Sequence, residues 1–265
     1  MHRQKMHRQK MPERREMILD LLAERGEITV EALVAHFETS SVTIRKDLAA
    51  LEASGDLMRR YGGASLMVQE GGSSMARPSP IKQAIAREAA ARLRDHARII
   101  VDSGSTTGAL IPWLNRYTGL VVMTNALGVA GALRSLERPP ALLMTGGTFD
   151  PHSGAFQGSV AETVLRAYDF DQLFIGADGV DLERGTTTFN ELVGLSRVMA
   201  ETAREVVVMV ESKKIGRRIP NLELGWSQID VLITDDGLDA QSRQRILDQE
   251  VTLILASALE PGPAP

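Results

Sequence analysis

The chain predicts two α/β units of unequal size: a small, helix-rich N-terminal unit ending in a hairpin, then a larger, mostly parallel α/β unit. Three observations predict this. The 265 residues exceed the usual length of one domain. The stretch VQEGGSSMARPSP (68–80), rich in Gly, Ser and Pro, reads as a linker. Beyond it, short apolar runs alternate with helical patterns, as in a parallel sheet covered on both faces. The expected boundaries are 1–66 for the first unit, 67–80 for the linker, 81–256 for the second unit and 257–265 for a disordered tail.

Composition narrows the function classes. A hydrophobic fraction of 43% is enough to build cores, and 24% charged residues is ordinary for a globular protein. With no cysteine, disulfides, thiol nucleophiles and cysteine-ligated zinc are excluded. His2, His7, His36, His96 and His152 show no ligand spacing on one element, so no metal and no cofactor is expected. No apolar run approaches the ~20 residues of a membrane span, and no signal-peptide core follows the N-terminus. A cytoplasmic protein without membrane contact is the expectation. Net charge is −4, yet Arg3, Lys5, Arg8, Lys10, Arg14, Arg15, Lys46, Arg59 and Arg60 crowd the first 60 positions. Such asymmetry points to nucleic acid better than the sum does.

The N-terminal elements follow in order. MHRQKMHRQKM repeats five residues; it reads as a basic arm or, more plainly, as an extended or mis-assigned start, and receives no role beyond weak electrostatic help. Pro12 suits a first helical turn, Met17, Ile18, Leu21 and Leu22 recur at helical spacing, and Gly26 ends that helix. Val30, Leu33, Val34 and Phe37 form the stripe of a second helix. Thr39, Ser40 and Ser41 can cap a third, with Ile44, Leu48 and Leu51 inward and Gly55 closing it. LMRRYGG then reads as strand and turn. This is the layout of a winged helix-turn-helix that enters DNA. Ser40, Ser41, Thr43, Arg45 and Lys46 remain at the outer, N-terminal end of the third helix. Arg45 suits a guanine edge or a phosphate and Lys46 a phosphate. Arg59, Arg60 and Tyr61 on the hairpin suit the DNA backbone. Asp47 opposes DNA in charge and is expected to turn away toward a cation.

The second unit opens with a helix near 81–94. Strands are expected at 97–102, 120–125, 141–147, 172–179, 205–212, 230–236 and 251–256, with helices near 106–115, 126–135, 156–168, 190–203 and 239–248. Ligands of such sheets bind at the carboxyl ends of the strands. Here those ends carry Asp102, Ser103, Gly104, Ser105, Thr106 and Thr107; Thr124 and Asn125; Gly146 and Gly147; Asp178; and Lys213. The Ser/Thr-rich turn offers hydroxyls and amides to a phosphate. Gly146 and Gly147 admit a close backbone, Lys213 supplies charge, and Asp102 or Asp178 accepts sugar hydroxyl protons. Each feature also has a plain structural reading, as a helix cap, a turn or a surface charge.

Residues 40–64, centred on TIRKDLAALEASGDLMRRYGGA, resemble the DNA-binding signature of the DeoR family of bacterial transcription regulators, and the similarity continues to about residue 256. The resemblance implies a carbohydrate-operon regulator, usually a repressor, whose C-terminal domain senses a phosphorylated sugar or related metabolite. MTNALGVAGAL, GGTF, FDQLFIGADGVDL and GTTTFNE further resemble the family's glucitol (sorbitol) operon repressor branch, which implies a sugar or polyol phosphate. The second unit also resembles the ribose-5-phosphate isomerase type of fold, where a GADE-type motif supplies catalytic acids. Here Gly179 stands where those enzymes carry glutamate and Ile175 where they carry aspartate, so a sensor rather than an enzyme is expected; Glu191 either compensates, caps a helix or holds a sugar hydroxyl. The alternative reading is an isomerase with an appended DNA-binding domain. Tight operator binding by one small module needs paired half-sites, so a homo-oligomer, dimer or tetramer, is expected.

Overall fold

The computed structural model describes residues 11–25, 27–53, 57–60, 63–66, 78–151, 153–188 and 193–257. Contacts divide the chain into two compact units, residues 1–77 and 78–265. The repeated N-terminus, Gly26, Gly55, Tyr61, residues 67–77 of the linker, Glu191 and the tail beyond 257 lie outside the described residues.

The first unit comprises α1 (Met11–Arg25), β1 (Glu27–Thr29), α2 (Val30–Phe37), α3 (Ser41–Ala53), β2 (Leu57–Arg60) and β3 (Gly63–Leu66). Its apolar stripes meet as the sequence spacing requires: Ile18, Leu22, Val30, Leu33, Ile44, Leu48, Leu51 and Leu57 form one buried core. Thr29 caps α2 by accepting the Ala32 amide at 3.2 Å. Ser40 caps α3 by accepting the Thr43 amide at 3.2 Å. Strand β1, not foreseen from the sequence, adds to the hairpin and gives an antiparallel sheet of order β1-β3-β2. Three residues are too few for an alternation to be read.

Asp47 lies on the inner face of α3, only 1% exposed. Arg14 Nε donates to it at 2.6 Å and Arg15 Nε at 3.1 Å. The expected turn away from the outer face is therefore met by two arginines of α1, and both are withdrawn from the cations available to DNA.

The second unit contains α4 (Pro80–Ala90), β4 (Arg98–Val101), α5 (Ser105–Gly108), β5 (Val121–Thr124), α6 (Leu127–Arg134), β6 (Ala141–Met144), β7 (Thr148–Asp150), β8 (Ala155–Gln157), α7 (Ser159–Arg166), β9 (Phe170–Ile175), β10 (Gly179–Asp181), β11 (Gly185–Thr188), α8 (Gly194–Glu201), β12 (Ala203–Met209), β13 (Asn221–Gly225), β14 (Val231–Asp235), α9 (Ala240–Leu247) and β15 (Thr252–Ala256). All seven expected strands form one sheet of order β15-β14-β12-β9-β4-β5-β6, parallel throughout. Successive side chains alternate between its faces. Ile99, Val101, Val122, Phe174, Val207 and Ile233 pack with Ile85, Ala89 and Trp113 on one side. Ile100, Met123, Leu173, Ile175, Val208 and Leu232 pack with Leu165, Leu195 and Met199 on the other. Burial on both faces is why these strands read as unbroken apolar runs.

Three departures matter. The expected helix over 106–115 is a single turn, α5, followed by a 3-10 segment over Ile111–Arg116. The expected helix from 156 starts only at Ser159, because Ala155–Gln157 pair with Thr148–Asp150 in a hairpin. Finally, β10, β11 and β13 form a separate antiparallel sheet that the sequence did not announce.

One prediction concerns the first unit. Removing one partner of a fully buried ion pair costs ~3–5 kcal/mol, and since Arg14 and Arg15 keep 11% and 29% side-chain exposure, Asp47→Asn is expected to cost the unit about 2 kcal/mol. Calorimetry of the whole chain should show one melting transition moving down and the other unmoved.

Candidate functional site

In the first unit, α3 sorts its residues sharply by face. Ile44, Asp47, Leu48 and Leu51 are buried, whereas Ser40, Ser41, Arg45 and Lys46 are exposed and Thr43 is half-buried. The Ser40 and Thr43 hydroxyls lie 2.9 Å apart, so both serve the start of the helix. Val42, which sequence reasoning passed over, is 60% exposed beside Arg45 and Lys46. An exposed aliphatic group on a polar helix end suits a thymine methyl. The backbone of Arg59 pairs opposite Ala64 and that of Arg60 opposite Gly63 on the β2–β3 hairpin.

In the second unit, the strand order reverses between β4 and β9: β5 and β6 extend to one side of β4, and β9, β12, β14 and β15 to the other. The crevice beyond such a reversal is where ligands of these sheets bind. Asp102 follows β4 and Asp178 follows β9, so the two expected hydroxyl acceptors flank that point. Gly104 at φ +138° turns the chain from β4 into α5, a conformation L side chains rarely adopt.

Other expected ligand groups prove to have internal uses. The Thr107 hydroxyl donates to the carbonyls of Asp102 (2.9 Å) and Gly104 (3.0 Å). Thr124 Oγ1 accepts the Ala126 amide at 3.1 Å. A Cβ on Gly147, at φ +109°, would lie 2.5 Å from the Gln157 carbonyl oxygen, so this glycine is required by the close passage of β8. Gly146 borders open space. Thr106 is buried, Ser105 is exposed and Ser103 is half-buried.

The cations are arranged differently from expectation. Lys213 is 57% exposed in its side chain and pairs with Glu211 at 3.1 Å. Lys82, on the first turn of α4, was missed. Its ammonium donates to Ser105 Oγ at 2.8 Å and stands 3.8 Å from the buried Glu211, with only 12% side-chain exposure. No local motif marks a lysine in an amphipathic helix as a site residue; only the packing of α4 over the β4 turn does. Lys214 reaches the Ala177 carbonyl at 3.1 Å.

The acidic side also gained a member. Glu223 on β13 is 8% exposed and accepts the Ser196 hydroxyl at 2.9 Å. Burial, with Asp102 and Asp178 nearby, pushes its carboxyl up to about 8. Asp102, partly open to the crevice but densely surrounded, is pushed up to about 6 by burial and by Asp178, against hydrogen bonds from Ser103 and Asn125. Asp178 accepts the Thr188 hydroxyl at 2.8 Å. At the two positions where isomerase acids were looked for, a carboxylate is disfavoured: Ile175 is fully buried in an apolar core, and a Cβ on Gly179 would sit 3.0 Å from Arg217 and Ile219 atoms. Among the described residues no group of three His, Asp or Glu is placed to hold a metal ion, and no helix is long and apolar enough to cross a membrane.

Residues 14–70 match the model of the DeoR-like helix-turn-helix domain and residues 79–236 that of the DeoR C-terminal sensor domain. A protein of Escherichia coli O157:H7, provisionally named an aga operon transcriptional repressor, is 37% identical and covers 92% of this chain and 93% of its own length. The transcriptional regulator GlpR of Haloferax volcanii is 32% identical over 91% and 96%. The glycerol-3-phosphate regulon repressor of Escherichia coli K12 is 26% identical over 93% and 99%. Among solved structures, ribose 5-phosphate isomerase A from Methanocaldococcus jannaschii aligns with a TM-score of 0.37 at 21% identity, covering 51% of this chain and 53% of that one.

The raised carboxyls set a pH dependence. A carboxyl whose folded pKa exceeds its unfolded value contributes stability at low pH and loses it as pH rises through the folded pKa. Asp102 and Glu223 both have this sign: their losses begin near the ordinary values of 3.8 and 4.5 and are complete once pH has passed about 6 and about 8. Melting of the second unit should therefore fall from about pH 4 to about pH 8, and Glu223→Gln should remove the part of that fall above about pH 6. An unchanged upper limb in the variant would contradict the assignment.

Proposed function

Since this chain belongs to the DeoR family of transcriptional regulators, we propose that it is a DNA-binding repressor of a carbohydrate-use operon, released when a phosphorylated sugar or polyol enters the crevice between β4 and β9. The observation that carries the reading is the pairing, in one chain, of a helix exposing Ser41, Val42, Arg45 and Lys46 with a crevice bringing Ser105, Lys82, Asp102, Asn125 and Asp178 together. Relatives named for the aga operon, the glycerol-3-phosphate regulon and the lactose phosphotransferase system support the class of operon. The motifs resembling the glucitol branch keep polyol phosphates within the proposed ligand class.

The phosphate is assigned to the Ser103–Thr106 turn. A phosphate dianion needs oriented donors and a cation; Lys82 is already at Ser105, and Lys213 stands on the other side of Glu211. The chain works in this reading as a homo-oligomer on paired half-sites, because one small module covers too little DNA for tight binding. It works as a sensor: release requires only that the effector prefer the low-affinity state.

Two expectations test the reading, both by fluorescence anisotropy on the promoter of the neighbouring operon with a panel of sugar and polyol phosphates. Arg45→Ala should weaken specific binding by about 1–3 kcal/mol if Arg45 reads a base edge, whereas Arg60→Ala should weaken all sequences alike and lower the salt slope by about one. Lys82→Ala should raise the effector concentration needed for release by about tenfold or more, the loss of one charge-assisted hydrogen bond, with a smaller rise for Lys213→Ala. Release by unphosphorylated sugars at equal concentration would overturn the phosphate assignment, and isomerisation of the same panel would favour an enzyme.

A further inference from the structure

The crevice holds an acidic group that lies on none of its parallel strands. Glu223 comes from β13 of the small antiparallel sheet, which carries it to the ends of β4 and β9. The groups facing it can be stated element by element. From the end of β4 comes Asp102, and from the turn after β9 comes Asp178; both act on Glu223 as like charges. From α8 come the Ser196 hydroxyl, at 2.9 Å, and Arg197. The Arg197 guanidinium is directed at main-chain carbonyls, those of Glu223 at 3.2 Å and Leu222 at 2.9 Å. From β11 comes the Thr186 hydroxyl, which also hydrogen-bonds the Glu223 carboxyl. Lys214, after β12, donates to the Ala177 carbonyl. Lys82, Glu211 and Lys213 form the separate ion cluster beside Ser105.

Among the described residues, two oxygens in this surrounding have no hydrogen-bond partner. They are Glu223 Oε2 and Asn125 Oδ1, in side chains 8% and 5% exposed. Asp102 links the two residues: the Asn125 side chain hydrogen-bonds to it, and its charge acts on Glu223. Buried polar atoms are nearly always satisfied in folded proteins, so two unmet ones on residues that both interact with Asp102 mark contacts left for a ligand. We propose that Glu223 and Asn125 read hydroxyl groups of the effector, Glu223 donating its carboxyl proton to a hydroxyl oxygen and Asn125 Oδ1 accepting a hydroxyl hydrogen, and that the crevice takes up a proton from solvent as the effector binds. This rests on the phosphorylated effector of the preceding subsection.

The direction of the proton movement follows from charge. Asp102 and Glu223, packed beside a third carboxyl in one poorly solvated place, resist ionisation. A phosphorylated ligand adds negative charge to the same crevice and favours the protonated form further. Glu223, already pushed up to about 8 without ligand, is part-ionised just above neutrality, and binding completes its protonation. Affinity should then fall as pH rises past that value, up to ~tenfold per pH unit for one linked proton. A ligand presenting an ammonium group to the carboxyls would reverse the sign and release a proton.

The test is titration calorimetry of the full-length protein at pH 8 in buffers of different ionisation heat. The probes are glucitol 6-phosphate, galactose 6-phosphate, glycerol 3-phosphate and inorganic phosphate. The organic phosphates that bind should do so with net proton uptake and with affinity falling about fivefold between pH 8 and pH 9. Glu223→Gln, which keeps the shape and the Ser196 contact, should bind without that uptake and with a flat profile. Inorganic phosphate, which brings negative charge but no sugar hydroxyl, should show a smaller proton uptake than the organic phosphates. Infrared difference spectra of the ligand-free protein provide a second readout: a protonated-carboxyl band at pH 7 that disappears above pH 8 and is missing from Glu223→Gln. Equal proton uptake in wild type and variant, proton release on binding, or no such band in the wild type would each overturn the inference while leaving a phosphate-responsive repressor standing. Failure of every organic phosphate to bind would remove the effector reading itself, and this inference with it.

Discussion

The second unit depends on one constraint: a parallel sheet covered on both faces leaves the middle residues of its central strands facing apolar cores rather than water. Ile99 to Val101, Leu173 to Ile175 and Val206 to Val208 alternate between two apolar cores, so any polar chemistry must stand where the strands stop. The reversal of strand order between β4 and β9 then parts the turns that follow them, and Asp102 and Asp178 come to flank one crevice. The same burial that stabilises the sheet withholds water from these carboxyls and from Glu223, which is why two of them hold protons unusually strongly. Stability of the sheet and reactivity of the crevice thus have a common origin.

The first unit solves an opposite problem, that of keeping charge in the right place. A helix that reads DNA needs cations outward and apolar groups inward, but α3 carries Asp47 between Lys46 and Leu48. Placing Asp47 on the inner face, against Arg14 and Arg15, removes a repulsive charge from the DNA side and ties α1 to α3. The result is an outer face of Ser41, Val42, Arg45 and Lys46, smaller and less basic than the count of arginines in the first 60 residues implies.

Much of this was written in the sequence by periodicity. Seven apolar runs became seven parallel strands, and the stripes of Ile18, Leu22, Leu33, Ile44, Leu48 and Leu51 became one core, because burial is repeated along each element and so leaves a regular trace. The short antiparallel strands Gly179–Asp181 and Gly185–Thr188 left none. Three or four residues cannot show a period, and GTTT has the composition of a turn.

The division holds for the functional groups as well. Sequence alone determined that the chain carries a DNA-reading helix and that polar, glycine-rich turns follow the strands, since both are local facts of residue type and spacing. Only the tertiary structure decided which of those turn residues remain available. Thr107 and Thr124 are taken up by backbone groups, and Gly147 makes room for β8. It also brought in two residues that no neighbouring motif marks: Lys82, delivered to Ser105 by the packing of α4, and Glu223, delivered to Asp102 by a sheet outside the main one. The physical reason is that a hydrogen bond or a charge interaction depends on distance in space, and residues 23 positions apart, such as Lys82 and Ser105, acquire that distance only when the chain has folded.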